Sequence, residues 1–151
     1  IETYKIYQPF SDKLKWLNSH NDSVWQGWKQ LPNKGTSLIL TKSLKDVMAI
    51  AENYNIPSVS LQAESIKPKD KIIQELHSRF FNIFLLYDND FDKDINWGQQ
   101  YANKLVDTHN FINIVIPDEY ECKDFSDLIK KYGNEKAKSI LDDLINNTLP
   151  F

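Results

Sequence analysis

Four aspartates, Asp88, Asp90, Asp92 and Asp94, stand two apart in the stretch FLLYDNDFDKD, directly after an apolar run. In an extended segment, residues two apart point to the same side. Carboxylates about 5 Å apart repel by about 3 kcal/mol at an effective dielectric of about 20. Three things offset such repulsion: a raised pKa, a lysine, or a hard divalent cation, for which carboxylate oxygens are the usual ligands. Three readings follow. The first is a solvated acidic loop after a strand. The second is a calcium-binding loop, with Ile95 at its usual apolar position. Against it, Lys93 stands where that loop needs Gly, Gln99 stands where it needs a bidentate Glu, and a strand rather than a helix precedes it. The third is a catalytic Mg²⁺ site at the mouth of an α/β sheet.

The flanking sequence predicts elements that would place the cluster. SLILT, IPSVSLQ, FNIFLLY and FINIVIP read as short apolar strands. Between and after them run helical patterns: SLKDVMAIAENYN, KPKDKIIQELHSRF, INWGQQYANKLVDTH, KDFSDLIKKYG and NEKAKSILDDLINN. Ser43 reads as the N-cap of the first helix with Asp46 as the acidic half of a capping box, and Leu44, Val47, Met48 and Ala51 share one face. Strands alternating with helices predict a parallel sheet covered on both faces. Ligands of such sheets bind beyond the carboxyl ends of the strands, where the acidic stretch lies. Residues 1–35 differ: short alternating pieces such as YKIYQ, three of the four Trp, and the turn signal LPNKG predict a β-hairpin appendage.

Composition bounds the rest. A chain of 151 residues with 41% apolar residues builds one domain, or a domain with a small appendage. No apolar run approaches the roughly 20 residues of a membrane helix, and IETYKIY lacks the features of a signal peptide. The start at Ile rather than Met points to a fragment of something longer. A single Cys122 excludes an internal disulfide framework and fits a reducing compartment. Arg79 is the only Arg beside 17 Lys, so phosphate contacts would rest on ammonium groups. Lys13, Lys15 and Lys29 interleave with Trp16, Trp25 and Trp28 and could track a single strand by charge and stacking. Alternatively, the Trp rings pack the hairpin onto the α/β layer and the lysines are solvated. His20, His77 and His109 with one Cys make no zinc spacing, and four Gly provide no Walker-type loop.

The order LILTKSLKD, YDND, a later Gly and KDFSD resembles the TOPRIM domain shared by topoisomerases and bacterial-type DNA primases. The likeness is nearest to phage-type primases, whose first motif often reads TKSxKD, and it covers roughly Lys34 to Gly133. It implies a TOPRIM-like α/β fold: a four-stranded, mostly parallel sheet with helices on both faces. Residues 1–35 would close the preceding subdomain, 36–133 would form the catalytic core, and 134–151 a C-terminal helix. The family's Asp-x-Asp maps onto Asp88 and Asp90, its helix-opening Gly onto Gly98, and its Lys-Asp-x-x-Asp onto Lys123, Asp124 and Asp127. Two departures stand out. Lys42 and Ser43 occupy the place of the family's Glu-Gly, and seven residues rather than two separate the Asp pair from Gly98.

On this resemblance the chain is the TOPRIM part of a DNA primase, an enzyme that transfers nucleotides to make RNA primers. Its template is single-stranded DNA, its substrates are nucleoside triphosphates, and a replicative helicase is a partner. The setting is the cytoplasm of a bacterium or a phage-infected cell. Two Mg²⁺ ions (or Mn²⁺) on Asp88, Asp90 and Glu64 would activate a 3′-hydroxyl and clamp the incoming triphosphate. Glu64 replaces the missing carboxylate, and Lys42 becomes an electrostatic partner of phosphate or of the cluster. Lys13, Lys15, Trp16 and Lys123 contact nucleic acid or nucleotide. Asp46 either caps its helix or touches metal, and the roles of Asp92, Asp94, Asp124 and Asp127 are open. Lys42 in place of Glu also supports a second class, a TOPRIM module that has lost catalysis and binds nucleic acid or a replication partner. A receiver-like phosphoacceptor domain needs an acid pair after its first strand, which Lys42-Ser43 does not supply.

Overall fold

The computed structural model describes residues 3–19, 21–63 and 66–149. Its centre is a four-stranded parallel sheet of order β4-β3-β5-β6, made of β3 (Gly35–Thr41), β4 (Ser58–Ser60), β5 (Phe80–Leu86) and β6 (Ile112–Asn113). Five helices follow the strands: α1 (Leu44–Asn53), α2 (Asp70–Arg79), α3 (Trp97–His109), α4 (Phe125–Tyr132) and α5 (Asn134–Thr148). The predicted α/β architecture with a parallel sheet is what the chain forms.

Strand alternation builds two cores. Leu38 and Leu40 of β3 and Ile83 and Leu85 of β5 face one side, packing with Ile73 and Leu76 of α2 and Ala102 and Leu105 of α3. Ile39, Phe84 and Leu86 face the other side, packing with Ile50 of α1, Leu128 of α4 and Ile140 and Leu141 of α5. The period of two along each strand thus sends neighbouring side chains into different cores. Near-continuous apolar runs are the expected reading for strands buried on both faces.

Two expectations are corrected. In α1 the buried side chains are Asp46, Val47 and Ile50, whereas Leu44 is 42% and Met48 63% exposed and Ala51 lies in solvent. Seating Asp46 inward turns the helix away from the purely apolar face. The run FINIVIP contributes a two-residue strand, because the ladder ends after Leu85↔Asn113. Beyond it, the carbonyl of Ile116 accepts from the Asn89 side-chain amide at 2.8 Å rather than from a strand partner.

The amino-terminal region forms an antiparallel hairpin of β1 (Lys5–Tyr7) and β2 (Trp16–Asn18). It is tied to the sheet edge by polar bonds. Lys5 Nζ donates to the Gln62 carbonyl at 2.7 Å, and Gln62 Nε2 donates to Thr3 Oγ1 at 3.0 Å and to the Val24 carbonyl at 3.1 Å. Gln26 pairs antiparallel with Ser60 of the edge strand β4. Trp25 is buried in the first core with Trp28 against it, so these two rings do pack the region onto the α/β layer. Arg79 lies over the Trp28 ring and donates to the carbonyls of Leu31 and Pro32, fastening the connection into β3. Among the described residues no helix is long and apolar enough to cross a membrane.

The helix-opening glycine has a steric reason. A Cβ on Gly98 would lie 2.1 Å from the Asp88 carbonyl oxygen, so α3 starts in direct contact with the backbone at the end of β5. Gly98→Ala must push α3 away and is expected to cost about 3 kcal/mol, the upper range for overpacking. A fall in the urea midpoint without a change in slope measures it.

Candidate active site

In the sheet order, β3 and β5 lie side by side, while the crossovers from them run in opposite directions, β3 to β4 and β5 to β6. The crevice at their carboxyl ends is the switch point where ligands of open α/β sheets bind. Lys42 and Ser43 leave β3 there and Asp88 leaves β5. A cleft of about 1210 Å³ opens above them, floored by Lys42, Lys45, Asp88, Asp90 and Asp124. Tyr7, Lys15 and Trp16 from the hairpin region and Trp97 and Tyr101 of α3 also line it.

Three of the buried carboxylates converge. One oxygen each from Asp46, Asp88 and Asp124 lies within 4.8 Å of the others. Each is held by local bonding. The hydroxyl of Ser43 donates to Asp46 Oδ2 at 2.7 Å while the Asp46 N–H donates back to Ser43 Oγ, so Ser43 is the cap that the sequence predicts. On its other side Asp46 Oδ1 accepts from the Ser126 hydroxyl at 2.8 Å and from its N–H at 3.3 Å. Asp124 caps α4 by accepting from the Asp127 N–H at 2.8 Å. Asp88 accepts from Lys42 Nζ at 2.7 Å, and Asp124 from Lys45 Nζ at 2.8 Å.

The electrostatics follow from this crowding. Burial pushes the Asp46 carboxyl above its usual range, and the Asp124 charge adds to the rise. Burial does the same to Asp88, with Lys42 opposing it and Asp124 and Asp46 adding to it. Lys45 is held above the ordinary lysine value: burial of its stem acts downward, but the bond to Asp124 and the charges of Asp124, Asp46 and Asp127 outweigh it. Asp90 goes the other way. Burial alone would raise it, but the bond and charge of Lys93, the charge of Lys42 and the Gly98 N–H bring it below the usual range.

A second network fixes the loop geometry. Asn89 is buried; its N–H donates to the Lys123 carbonyl at 2.8 Å, and its amide donates to Ile116 and Asp118. That ties the end of β5 to the segment that carries Asp124. Asn96 caps α3 and accepts from the Asp90 N–H at 3.0 Å, while its own amide donates to Asn89. The stretch Phe91–Trp97 is therefore closed at its base by two asparagines.

Of the site residues expected from sequence, Lys42, Asp88, Asp90 and Lys123 meet in the cleft with Lys15 and Trp16 of the hairpin. Lys13 is exposed in the connection between β1 and β2 and does not line it. Glu64 lies outside the described residues. Asp90 is engaged by Lys93 rather than by the triad. Asp46 and Asp124, whose roles were open, are triad members, and Asp127 is half-buried beside the α4 cap. Asp92 and Asp94 are exposed, so the solvated-loop reading describes them but not Asp88 and Asp90. Lys45, Lys93, Asn89, Asn96 and Ser126 are residues that sequence reasoning passed over. The capping signal at Ser43 and Asp46 was the one cue to the inward face of α1.

No family model and no curated protein matches the chain. Solved structures do. A complex of bacteriophage T7 lagging-strand DNA polymerase with primase domains of two gp4 subunits, bound to an RNA/DNA hybrid and dTTP, matches with TM-score 0.67 and 18% identity, covering 100% of this chain and 73% of that one. The DnaG primase catalytic domain bound to ssDNA matches with TM-score 0.69 and 19% identity, covering 97% and 50%. The E. coli primase catalytic core gives 0.69 and 18%, covering 98% and 51%. The chain thus spans about half the length of these two primase cores. At such identities the likeness establishes the fold, which is the TOPRIM-like fold of primase catalytic cores.

The raised carboxyls have a consequence for stability. A native carboxyl held above its unfolded value retains its proton longer than in the unfolded chain. Folding therefore binds protons, and stability falls as pH rises from the unfolded toward the folded pKa. Asp46→Asn, in buffer free of divalent ions, is expected to flatten that fall. At pH 7 it should raise the melting temperature by about 2–4 °C, the shift that about 1 kcal/mol produces at this chain length. Melting curves at several pH values check both.

Proposed function

We propose that the chain is the TOPRIM part of a DNA primase, carrying out divalent-metal-dependent nucleotidyl transfer to make RNA primers on single-stranded DNA. The observation that carries this reading is the convergence of Asp46, Asp88 and Asp124 at the switch point of a fold shared with primase cores.

The donor set suits a hard cation. All three candidate ligands are carboxylates, buried, close enough to share an ion, and destabilised by one another's charge. Mg²⁺, or Mn²⁺ in its place, would be held by Asp46, Asp88 and Asp124, with Glu64 as a further oxygen donor from the segment after β4. Such an ion supplies activation of a hydroxyl nucleophile and charge stabilisation at a transferring phosphoryl group. The side chains do the rest. Asp88 and Asp124 are aimed by the Asn89 bonds that join their loops. Ser43 and Ser126 keep Asp46 oriented from both sides. Lys15 and Lys123 offer cationic contacts to a phosphate backbone at the rim of the cleft. Tyr7 and Trp16 meet in a tilted contact with centroids 4.5 Å apart, Lys5 Nζ lies 4.5 Å from the Trp16 ring centroid, and Trp16 is 47% exposed, so a base that reaches the ring meets it beside the Lys5 charge.

A second reading has its own observation. Lys42 and Lys45 already pair with two of the three triad carboxylates, which favours a module that has exchanged metal for ammonium and only binds nucleic acid or a replication partner. Titration with Mg²⁺ separates the two, since that module takes up no ion.

Primer synthesis by the chain in its natural full length is expected to drop at least about 100-fold in Asp88→Asn, the cost of about 3 kcal/mol of lost transition-state stabilisation. Unchanged primer yield on a defined template would refute the reading. Trp16→Ala is expected to weaken single-stranded DNA binding about tenfold, in the range of one lost base stack, with the fold retained. Fluorescence anisotropy with a labelled oligonucleotide reads it.

A further inference from the structure

The metal-site reading leaves one feature of the cleft without a role: three of its ammonium groups are bonded to its carboxylates. Lys42 bonds Asp88, Lys45 bonds Asp124 and Lys93 bonds Asp90. Among the described residues Asp46 alone of these four carboxylates is satisfied by hydroxyls and an N–H rather than by a cation.

The pairs are also not placed evenly. The described residues contain a single group of three ligands that could share an ion, and Asp90 is not in it. Asp90 is bonded instead by Lys93, and the charge of Lys42 acts on it as well as on Asp88. Lys93 thus holds the second carboxylate of the Asp-x-Asp pair and Lys42 the first, from the end of β3, at the position where the sequence departs from Glu.

Resting on the metal reading above, we propose that Lys42 stands in place of a second divalent ion, so that the site takes one metal ion on Asp46, Asp88 and Asp124 and keeps the Lys42 ammonium beside Asp88. On this proposal the exchange of Glu for Lys conserves positive charge at the reacting phosphates while removing a ligand. Lysine is a compact point charge on a flexible stem, so it can serve both the carboxylate and an incoming phosphate. The substitution then changes the metal count of the site without removing its cationic character.

Mn²⁺ binding to the metal-free protein, followed by loss of the free-ion electron paramagnetic resonance signal and by calorimetry, tests this. The wild type is expected to bind one ion per chain. Asp88→Asn should weaken it at least about tenfold, while Asp90→Asn should stay within about threefold of wild type. Lys42→Glu should bind two ions, with circular dichroism reporting the fold. Where Lys42→Glu does not fold, Lys42→Gln decides: binding as tight as wild type or tighter, with primer synthesis reduced, supports the proposal, and weaker binding overturns it. Two ions in the wild type, a folded Lys42→Glu that still binds one, or Asp90→Asn as damaging as Asp88→Asn would each overturn it and leave the metal reading standing. No Mn²⁺ binding by the wild type overturns both.

Discussion

Mutual repulsion among buried carboxylates is the constraint around which the rest of this structure is arranged. Asp46, Asp88 and Asp124 come from the segments after three different strands, and nothing in apolar packing requires them to meet. Removing charges from water costs several kcal/mol per ion even after relaxation, and like charges add to that. The fold holds them together only because every carboxylate has directed partners. Two helix N-termini contribute, since Ser43 and Asp124 are the caps of α1 and α4 and so join the site to the start of a helix. A helix N-terminus favours negative charge, which is one reason acids can be concentrated there. The site is thus built from capping interactions as much as from strand ends.

The asparagines fix the path of the loop after β5. A loop that leaves a sheet must satisfy its own backbone groups, and the one after β5 does so through Asn89 and Asn96 rather than through further strand pairing. Asn89 reaches both the edge segment at Ile116 and the chain just before Asp124. Gly98 completes the junction by letting α3 touch the backbone of Asp88, which no side chain would permit.

The sheet was legible in the sequence because strands buried on both faces are written as unbroken apolar runs, such as LIL and IFLL, and each ends in turn or polar residues. Asp88 was legible because a carboxylate directly after such a run has little other reason to be there. The partners were not. Which lysine meets which carboxylate depends on sequence separations of 46 for Lys42 with Asp88 and 79 for Lys45 with Asp124, and no local pattern encodes those. The orientation of α1 was misread for a related reason. Leu44, Val47, Met48 and Ala51 make a plausible apolar stripe, but the helix turns to bury Asp46, and this long-range electrostatic demand outweighs the burial of Met48. The order of motifs carried more information than any one of them, since it placed Asp88 and the Lys-Asp-x-x-Asp run on successive loops of one sheet edge.

The same logic bears on what a lysine means at the end of β3. A catalytic site that loses a carboxylate can fail in two ways: it can lose a ligand, or it can lose charge balance. Here the incoming residue is a cation placed 2.7 Å from Asp88, and its influence extends to Asp90. Both aspartates are buried, both are ion-paired, and the third acid pair is completed by Lys45 from the first turn of α1. Matched cations and anions packed this closely form a charge-compensated unit. In such a unit, binding a divalent ion must displace or redirect ammonium groups, and those groups then lie beside whatever anion the cleft receives.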